Sequence, residues 1–323
     1  MKIAIVGYGN LGRGVEAALT AAPDMEAVGI FTRRDPASVQ SAMGLPVYHM
    51  DALDGMADQI DVVINCGGSA TDLPHSTPAL AEKFHVVDSF DTHAKILAHR
   101  ATVDAAARKG KKVAVISVGW DPGMFSLTRL YAQSILPEGK SYTFWGTGVS
   151  QGHSDAIRRI EGVADARQYT VPIEAAMQRV KSGEMPTLTA ADMHERICYV
   201  ALKEGADAAK IEQAIVTMPD YFAPYKTTVH FVSLEELHRE HGGLPHGGTV
   251  IHAGKAGAGS AHTIEYKLKL ESNPDFTGSI LVAFARAAYR LGQQGEIGCK
   301  TAFDIPPILL SPQDPEELYS HLL

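Results

Sequence analysis

The N-terminal segment constrains the fold more than any other part of the chain, because three glycines follow a short apolar run in the pattern Gly-x-Gly-x-x-Gly. The apolar run predicts a buried strand, and the apolar periodicity after the glycines predicts a helix. Gly7 permits a tight turn, Gly9 lets the backbone approach a pyrophosphate, and Gly12 lets the helix pack against the strand. The residues predicted to contact a dinucleotide here are Gly7, Gly9, Asn10, Leu11 and Gly12. A glycine turn without a ligand is the alternative.

The residues after the second predicted strand, at residues 26–31, indicate which dinucleotide is bound. An acidic residue at this place bonds the ribose 2′-hydroxyl of NAD, whereas a cationic residue accommodates the 2′-phosphate of NADP. This chain has Thr32, Arg33 and Arg34 there, and Asp35 follows too late to be the usual acidic residue. The sequence therefore favours NADP, and a solvent-exposed arginine pair is the alternative.

Composition excludes several classes of function. The 323 residues are 45% hydrophobic and 20% charged with a net charge of −8, which is typical of a globular protein of about two domains. Without long basic runs, nucleic acid is not an expected partner, and no apolar run reaches the ~20 residues that span a bilayer. No ligand spacing predicts a metal site. We expect a cytoplasmic protein for two reasons. The three cysteines are far apart in the sequence, and the first predicted strand leaves no room for a signal peptide.

Alternating strands and helices up to about residue 120 predict a doubly wound parallel sheet of the Rossmann type, whose ligands lie at the carboxyl ends of the strands. Two aspartates, Asp91 and Asp121, come shortly after the fifth and sixth predicted strands. We expect them beside a nicotinamide, although isolated loop aspartates are usually turn or cap residues. The other loop residues predicted to contact the cofactor are Ser69, Ala70, Thr71, Asp72, Pro122, Gly123, Met124 and Phe125. A plain strand-to-helix connection is the alternative for residues 67–72.

The pattern changes beyond about residue 120, where strands with alternating polarity predict a mixed sheet packed on helices. We therefore expect an NADP-binding domain at residues 1–120 and an α+β domain for substrate binding and dimerisation at residues 121–294. The segment from about 295 to 323 is expected to return to the first domain.

Several longer motifs, in order along nearly the whole chain, resemble those of meso-diaminopimelate D-dehydrogenases. They are Gly-Tyr-Gly-Asn-Leu-Gly (7–12), Thr-Arg-Arg (32–34), Gly-Trp-Asp-Pro-Gly-Met-Phe (119–125), Phe-Trp-Gly-x-Gly-x-Ser-Gln-Gly-His-Ser-Asp (144–155), Met-Pro-Asp-Tyr-Phe (218–222), Leu-Pro-His-Gly-Gly (244–248) and Asn-Pro-Asp-Phe (273–276). The resemblance implies NADP-dependent, reversible oxidative deamination of the D-centre of meso-2,6-diaminopimelate to L-2-amino-6-oxopimelate and ammonia, a reaction of lysine biosynthesis. It also implies a homodimer.

The resemblance further implies a role for each substrate-binding residue. Asp91 and Asp121 would hold the D-centre ammonium, and Asp121 or its bound water would accept a proton. The remaining residues would bind the adjacent carboxylate (Gln151 and Gly152), wall the pocket (Trp145), anchor the far L-end (Thr170, Arg196 and His246) and complete the polar shell (Asn273). Thr147 departs from the pattern, where a relative has proline.

Two other readings remain open from the sequence. Another NADP-linked reductase of amino-acid metabolism, similar to dihydrodipicolinate reductase or aspartate dehydrogenase, would share the N-terminal unit without requiring the two long motifs. A non-catalytic NADP-binding sensor would need only residues up to about 120, and would leave the paired aspartates, Arg196 and His246 without a role.

Overall fold

A computed structural model describes residues 1–257 and 259–323. The strands run Lys2–Val6 (β1), Glu26–Thr32 (β2), Val47–His49 (β3), Val62–Asn65 (β4), His85–Asp88 (β5), Val113–Val115 (β6), Lys140–Trp145 (β7), Gly148–Val149 (β8), Val163–Pro172 (β9), His194–Leu202 (β10), Thr227–Phe231 (β11), His246–Ala256 (β12), Ser260–Leu270 (β13) and Gly298–Lys300 (β14).

The α-helices run Asn10–Thr20 (α1), Leu73–Ala81 (α2), Ile96–Gly110 (α3), Met124–Ile135 (α4), Gln151–Arg158 (α5), Glu174–Lys181 (α6), Ala190–Met193 (α7), Ala208–Val216 (α8), Leu234–His241 (α9), Asn273–Gln293 (α10) and Pro315–Leu322 (α11). No helix within the described residues is long and apolar enough to cross a membrane.

The chain divides into two compact units. Unit 1 comprises residues 1–127 and 274–323, and unit 2 comprises residues 128–273. Unit 1 contains a seven-stranded sheet in the order β14-β6-β5-β4-β1-β2-β3, with every pair of neighbours parallel. The strand order reverses between β1 and β4, which is the switch point where ligands of such sheets bind. The predicted doubly wound sheet is confirmed.

The glycine turn after β1 has the geometry that its sequence predicts. Gly7 has a φ of +86°, which favours glycine. A Cβ on Gly12 would lie 2.3 Å from the carbonyl oxygen of Gly7, so only glycine lets α1 approach the strand this closely. A Cβ on Gly9 would meet no atom within 4 Å, so the space in front of that backbone is open. Gly9 therefore leaves room for a ligand at the start of α1.

Helix α10 belongs to unit 1 from its second residue, Pro274, so the chain returns there earlier than the expected return near residue 295. The reason is close helix packing, since a Cβ on Gly278 would lie 2.4 Å from the carbonyl carbon of Gly14 in α1. Arg286 of α10 also donates two hydrogen bonds to the carboxylate of Asp24, at 2.7 and 2.8 Å. Sequence periodicity shows an apolar helix but not its partner.

Unit 2 contains two sheets. The first has the order β11-β10-β9-β8, with β10 and β11 parallel and the other pairs antiparallel. The second is antiparallel with the order β13-β12-β7. Separate apolar clusters lie beneath them, one around Phe222 and Ile215 and one around Phe144 and Ile251. The predicted mixed-sheet α+β unit is confirmed.

We predict that Gly278→Ala lowers the free energy of unfolding by about 1–3 kcal/mol, because the added methyl group would overlap the backbone of α1. Gly55→Ala is the matched control, since a Cβ there would meet nothing within 4 Å. Thermal and urea unfolding of both variants measure the difference. A Gly278→Ala protein as stable as the Gly55→Ala protein would contradict the close approach of α1 and α10.

Candidate active site

The glycine turn borders a cavity of about 260 Å³ at the carboxyl ends of β1, β2 and β4, whose lining includes Gly7, Arg33, Asp72 and His75. Arg34 reinforces the turn, since its guanidinium donates to the Tyr8 carbonyl oxygen at 2.6 Å. The remaining residues of the predicted turn, Asn10, Leu11 and Gly12, form the first turn of α1, whose N–H groups suit a phosphate. This part of unit 1 therefore fits the predicted dinucleotide.

The three predicted 2′-phosphate ligands, Thr32, Arg33 and Arg34, differ in their surroundings. Thr32 is buried, and its Oγ1 accepts the N–H of Arg34 at 3.1 Å. Arg33 is exposed and forms an ion pair of 2.8 Å with Asp72. The N–H of Gly68 and the Arg33 guanidinium hold the pKa of Asp72 below its usual value. Because an exposed ion pair contributes little to stability, Arg33 is available to a ligand phosphate at small cost.

The loop at residues 67–72 contacts the loop that carries Asp91. Ser69 accepts the backbone N–H of Asp91 through its Oγ at 2.9 Å, and this Oγ lies 3.5 Å from that of Thr92. Ala70 and Thr71 form the turn between Ser69 and α2, which Asp72 precedes. The structure therefore brings a predicted cofactor loop against a predicted catalytic residue.

Asp121 lies in a tight loop after β6. The Gly119 N–H donates to the Pro122 carbonyl at 2.8 Å, and the Met124 N–H donates to the Gly119 carbonyl at 3.0 Å. A Cβ on Gly123 would lie 2.0 Å from the Gly119 oxygen, and Gly123 has a φ of +125°, so glycine is required there. Trp120 packs edge-on against buried Phe125 at 5.4 Å. These contacts fix the backbone on both sides of Asp121.

In unit 2, the predicted anion-binding pair Thr170 and Arg196 are directly opposite each other on β9 and β10. Both are buried, and Arg196 donates a hydrogen bond to the Thr170 hydroxyl. Its guanidinium lies over the Tyr225 ring at 4.1 Å. Burial lowers the pKa of Arg196, with Tyr225 opposing the shift, and an arginine stays protonated at neutral pH. Its Nε has no hydrogen-bond partner within the described part of the chain.

Two glycines, Gly146 and Gly148, allow close backbone contacts that place Trp145 and His246 near Thr170 and Arg196. A Cβ on Gly146, beside Trp145, would lie 2.1 Å from the Thr170 carbonyl oxygen. A Cβ on Gly148 would lie 2.5 Å from the His246 ring. Trp145, Thr170, Arg196 and His246 therefore share one region of unit 2.

The predicted carboxylate-binding residues Gln151 and Gly152 form the first turn of α5, next to the same region. Ser150 caps this helix, and its backbone N–H donates to the Gln168 carbonyl on β9 at 2.9 Å. Asn273, the last residue of unit 2, donates its backbone N–H to the Leu244 carbonyl at 3.0 Å, two residues before His246. The structure therefore groups the predicted substrate residues of unit 2 and, separately, those of unit 1.

Two histidines without a predicted role lie beside these residues: His194 is buried, and His153 of α5 is half-buried. His194 accepts the backbone N–H of Trp145 through Nε2 at 2.8 Å and donates from Nδ1 to the Ala190 carbonyl at 3.0 Å, so it is the neutral Nδ1–H tautomer. Its ring also stacks on Trp145 at 5.3 Å. Burial lowers the pKa of His194, and of His153 in α5, to about 4, and the nearby Arg196 charge adds to both shifts. Burial also lowers the pKa of His246.

Known proteins that are similar to this chain belong to the family that its sequence motifs resemble. Residues 119–272 match the family described as the diaminopimelic acid dehydrogenase C-terminal domain. A curated relative from Ureibacillus thermosphaericus, meso-diaminopimelate D-dehydrogenase, is 59% identical over 100% of this chain and 99% of its own.

Two solved structures are also similar. The DAP dehydrogenase of Corynebacterium glutamicum in complex with DAP has a TM-score of 0.93 and 46% identity, covering 100% of this chain and 99% of the other. An engineered D-amino acid dehydrogenase bound to NADP⁺ has a TM-score of 0.89 and 44% identity, with the same coverage.

We predict that the double variant Arg33→Ala and Arg34→Ala raises the KM for NADP⁺ at least about tenfold, because each charge-assisted hydrogen bond to a phosphate is worth roughly 1.5–3 kcal/mol. The KM for NAD⁺ should change far less. Arg239→Ala removes an exposed arginine of α9 and serves as the control. An equal rise in the KM for NADP⁺ and for NAD⁺ would instead indicate that the two arginines support the glycine turn. The single variant Arg33→Ala leaves the bond from Arg34 to the turn intact, so it would separate phosphate binding from support of the turn.

Proposed function

The chain belongs to the meso-diaminopimelate D-dehydrogenase family, and we propose that it oxidises the D-centre of meso-2,6-diaminopimelate with NADP⁺ to give L-2-amino-6-oxopimelate and ammonia. The reaction is reversible, and the reverse direction supplies a precursor of lysine. The substrate has an ammonium and a carboxylate at each end, so its binding site needs anions for the ammonium groups and cations or N–H donors for the carboxylates.

The observation that carries this proposal is the buried guanidinium of Arg196. A buried charge is costly unless it is paired and hydrogen-bonded, and the protein supplies Arg196 with a neutral hydroxyl and an aromatic ring. The distal L-carboxylate of the substrate would supply the missing negative charge, with Thr170 and His246 beside it. A sensor that only binds NADP would have no use for this arrangement.

Asp91 and Asp121 are assigned to the reacting end. Two carboxylates would attract the D-centre ammonium, and the N–H groups of Gln151 and Gly152 would bind the adjacent carboxylate at the start of α5. Trp145, held by His194, would form a wall of the pocket. Asn273 would complete the polar shell around the substrate.

Proton transfer is assigned to Asp121 or to a water that it holds. The substrate nitrogen must lose a proton as its carbon loses hydride, and a positioned carboxylate can accept that proton. Water then adds to the resulting iminium carbon, the C–N bond breaks, and ammonia leaves. The protein contributes placement, charge and choice of stereocentre, while the nicotinamide of bound NADP⁺ supplies the hydride acceptor.

The decisive experiment mixes purified protein with NADP⁺ and each diaminopimelate stereoisomer and follows NADPH absorbance. We expect turnover only with isomers that contain a D-centre. Asp121→Asn should lower kcat by about 10²–10⁴-fold, the usual contribution of a general base, while the Kd for NADP⁺ changes less than about threefold.

Other outcomes would redirect the assignment. Tight NADP⁺ binding without turnover of any isomer would favour the sensor, and turnover of an unrelated amino-acid intermediate would favour another reductase. An unchanged kcat for Asp121→Asn would remove Asp121 from proton transfer while leaving the overall reaction in place.

We also propose that the protein is a cytoplasmic homodimer. Three apolar side chains on the unit 2 part of α4 are exposed, namely Leu130 at 42%, Tyr131 at 57% and Ile135 at 66%. Tyr131 and Ile135 are four residues apart and share a helix face, which is typical of a surface that packs on another protein. The cysteines are unpaired thiols within the described residues, which suits a reducing compartment.

Size-exclusion chromatography with light scattering should therefore give about twice the chain mass of 34.6 kDa. The double variant Tyr131→Asp and Ile135→Asp should shift the protein toward the monomer, because it places charge in the proposed contact. Met43→Asp, at another exposed apolar position, is the control. A dimer that survives the double variant would contradict the assignment of this helix face.

A further inference from the structure

The carboxylate of Asp88, the last residue of β5, is completely buried and fully hydrogen-bonded. Its Oδ1 accepts two backbone N–H groups, from Phe90 at 3.0 Å and Ser117 at 2.9 Å. Its Oδ2 accepts the Thr77 hydroxyl and faces Nε2 of His99, each at 2.8 Å. Such a group is expensive to bury without partners, so its four partners indicate a built arrangement.

The two backbone partners belong to the loops that carry the proposed catalytic aspartates. Phe90 directly precedes Asp91, and Ser117 opens the segment that leads to Asp121. The Val118 N–H adds a third link, to the Asp88 carbonyl oxygen at 3.1 Å. A single residue therefore ties the backbone of both loops to the end of β5.

Ser117 shows that this tie constrains the backbone. Its φ is +56°, a left-handed conformation that is unfavourable for a residue other than glycine and persists only where surrounding contacts impose it. The bond from the Ser117 N–H to Asp88 is such a contact. Without it, the segment leading to Asp121 would lose a restraint on its direction.

The arrangement also reaches the predicted cofactor loop at residues 67–72. Thr77, which donates to Asp88, accepts a hydrogen bond from Nδ2 of Asn65 at 3.1 Å. Oδ1 of Asn65 accepts the Gly67 N–H at 3.3 Å. On the other side, the His99 ring stacks on Phe90 at 4.2 Å. Asn65, Thr77, Asp88 and His99 thus form a buried polar network beneath three adjacent loops.

We propose that Asp88 is a positioning residue for the oxidative deamination, which sets the placement of Asp91 and Asp121 through the backbone of their loops. This inference rests on the proposed function of those two aspartates. Asp88 makes its contacts from beneath the loops and acts through them. A misplacement of about 1 Å can cost about 10²-fold in rate, so the loss of this tie should be visible in kcat.

The test compares Asp88→Ala with Asp88→Asn. We expect Asp88→Ala to lower kcat about 100-fold while the Kd for NADP⁺ changes less than about threefold. Asp88→Asn should recover kcat to within about fivefold of the parent protein. Its amide oxygen can still accept both backbone N–H groups, and its amide nitrogen can donate to Thr77 and to the other tautomer of His99. Thr77→Val, which removes a partner but neither backbone bond, is the matched control. If Asp88→Ala does not fold, Asp88→Ser replaces it.

Amide hydrogen exchange provides a readout that does not depend on turnover. Residues 89–92 and 117–121 should exchange faster in Asp88→Ala than in Thr77→Val. Turnover by the parent protein with an unchanged kcat in Asp88→Ala would overturn the positioning role and leave the proposed function standing. If the parent protein does not turn over diaminopimelate, the proposed function fails, and unchanged exchange in both loops would then overturn the tie as well.

Discussion

The requirement that buried polar groups be hydrogen-bonded organises the proposed reacting end in unit 1. Parallel strands place several loops at one edge of a sheet, and the backbone N–H groups of those loops need acceptors. Asp88 supplies the acceptor for two of the loops, and Asn65 supplies it for a third. The carboxylate is stable because it is saturated with donors, and the loops are ordered because they provide those donors. The same hydrogen bonds therefore satisfy the buried Asp88 carboxylate and fix the loops that carry the proposed site residues.

The parts of the molecule that sequence could predict are those that local chemistry determines. Gly7 requires a left-handed φ and Gly12 requires space for the backbone, so the glycine turn can be read from neighbouring residues alone. The parallel sheet follows from the alternation of strands and helices. Arg33 and Arg34 lie beside the turn because β2 is the parallel neighbour of β1. The family motifs added substrate residues that the structure groups within unit 2.

Contacts between distant segments explain what sequence reasoning could not provide. The return of the chain to unit 1 depends on Gly278 meeting Gly14, and neither glycine signals its partner. Strand β12 could not be recognised from its sequence, because nearly all its residues are buried and it lacks the alternating polarity of half-buried strands. Likewise, His194 can hold Trp145 only because the fold brings β10 close to the end of β7, where His194 accepts the backbone N–H of Trp145. The local signal in the sequence was a histidine at the start of a strand.

Charge also divides between the two units according to the proposed substrate. The residues assigned to its D-centre ammonium are carboxylates of unit 1, whereas the residue assigned to its distal carboxylate is the buried Arg196 of unit 2. Since His153 and His194 are held neutral by burial, Arg196 carries the positive charge among these three side chains. The desolvation cost of Arg196 is met when the protein folds, so a ligand carboxylate that pairs with it would add only its own desolvation cost. In the proposed site, an amino acid that lacks a second carboxylate would leave that charge uncompensated, so we expect the site to discriminate against it.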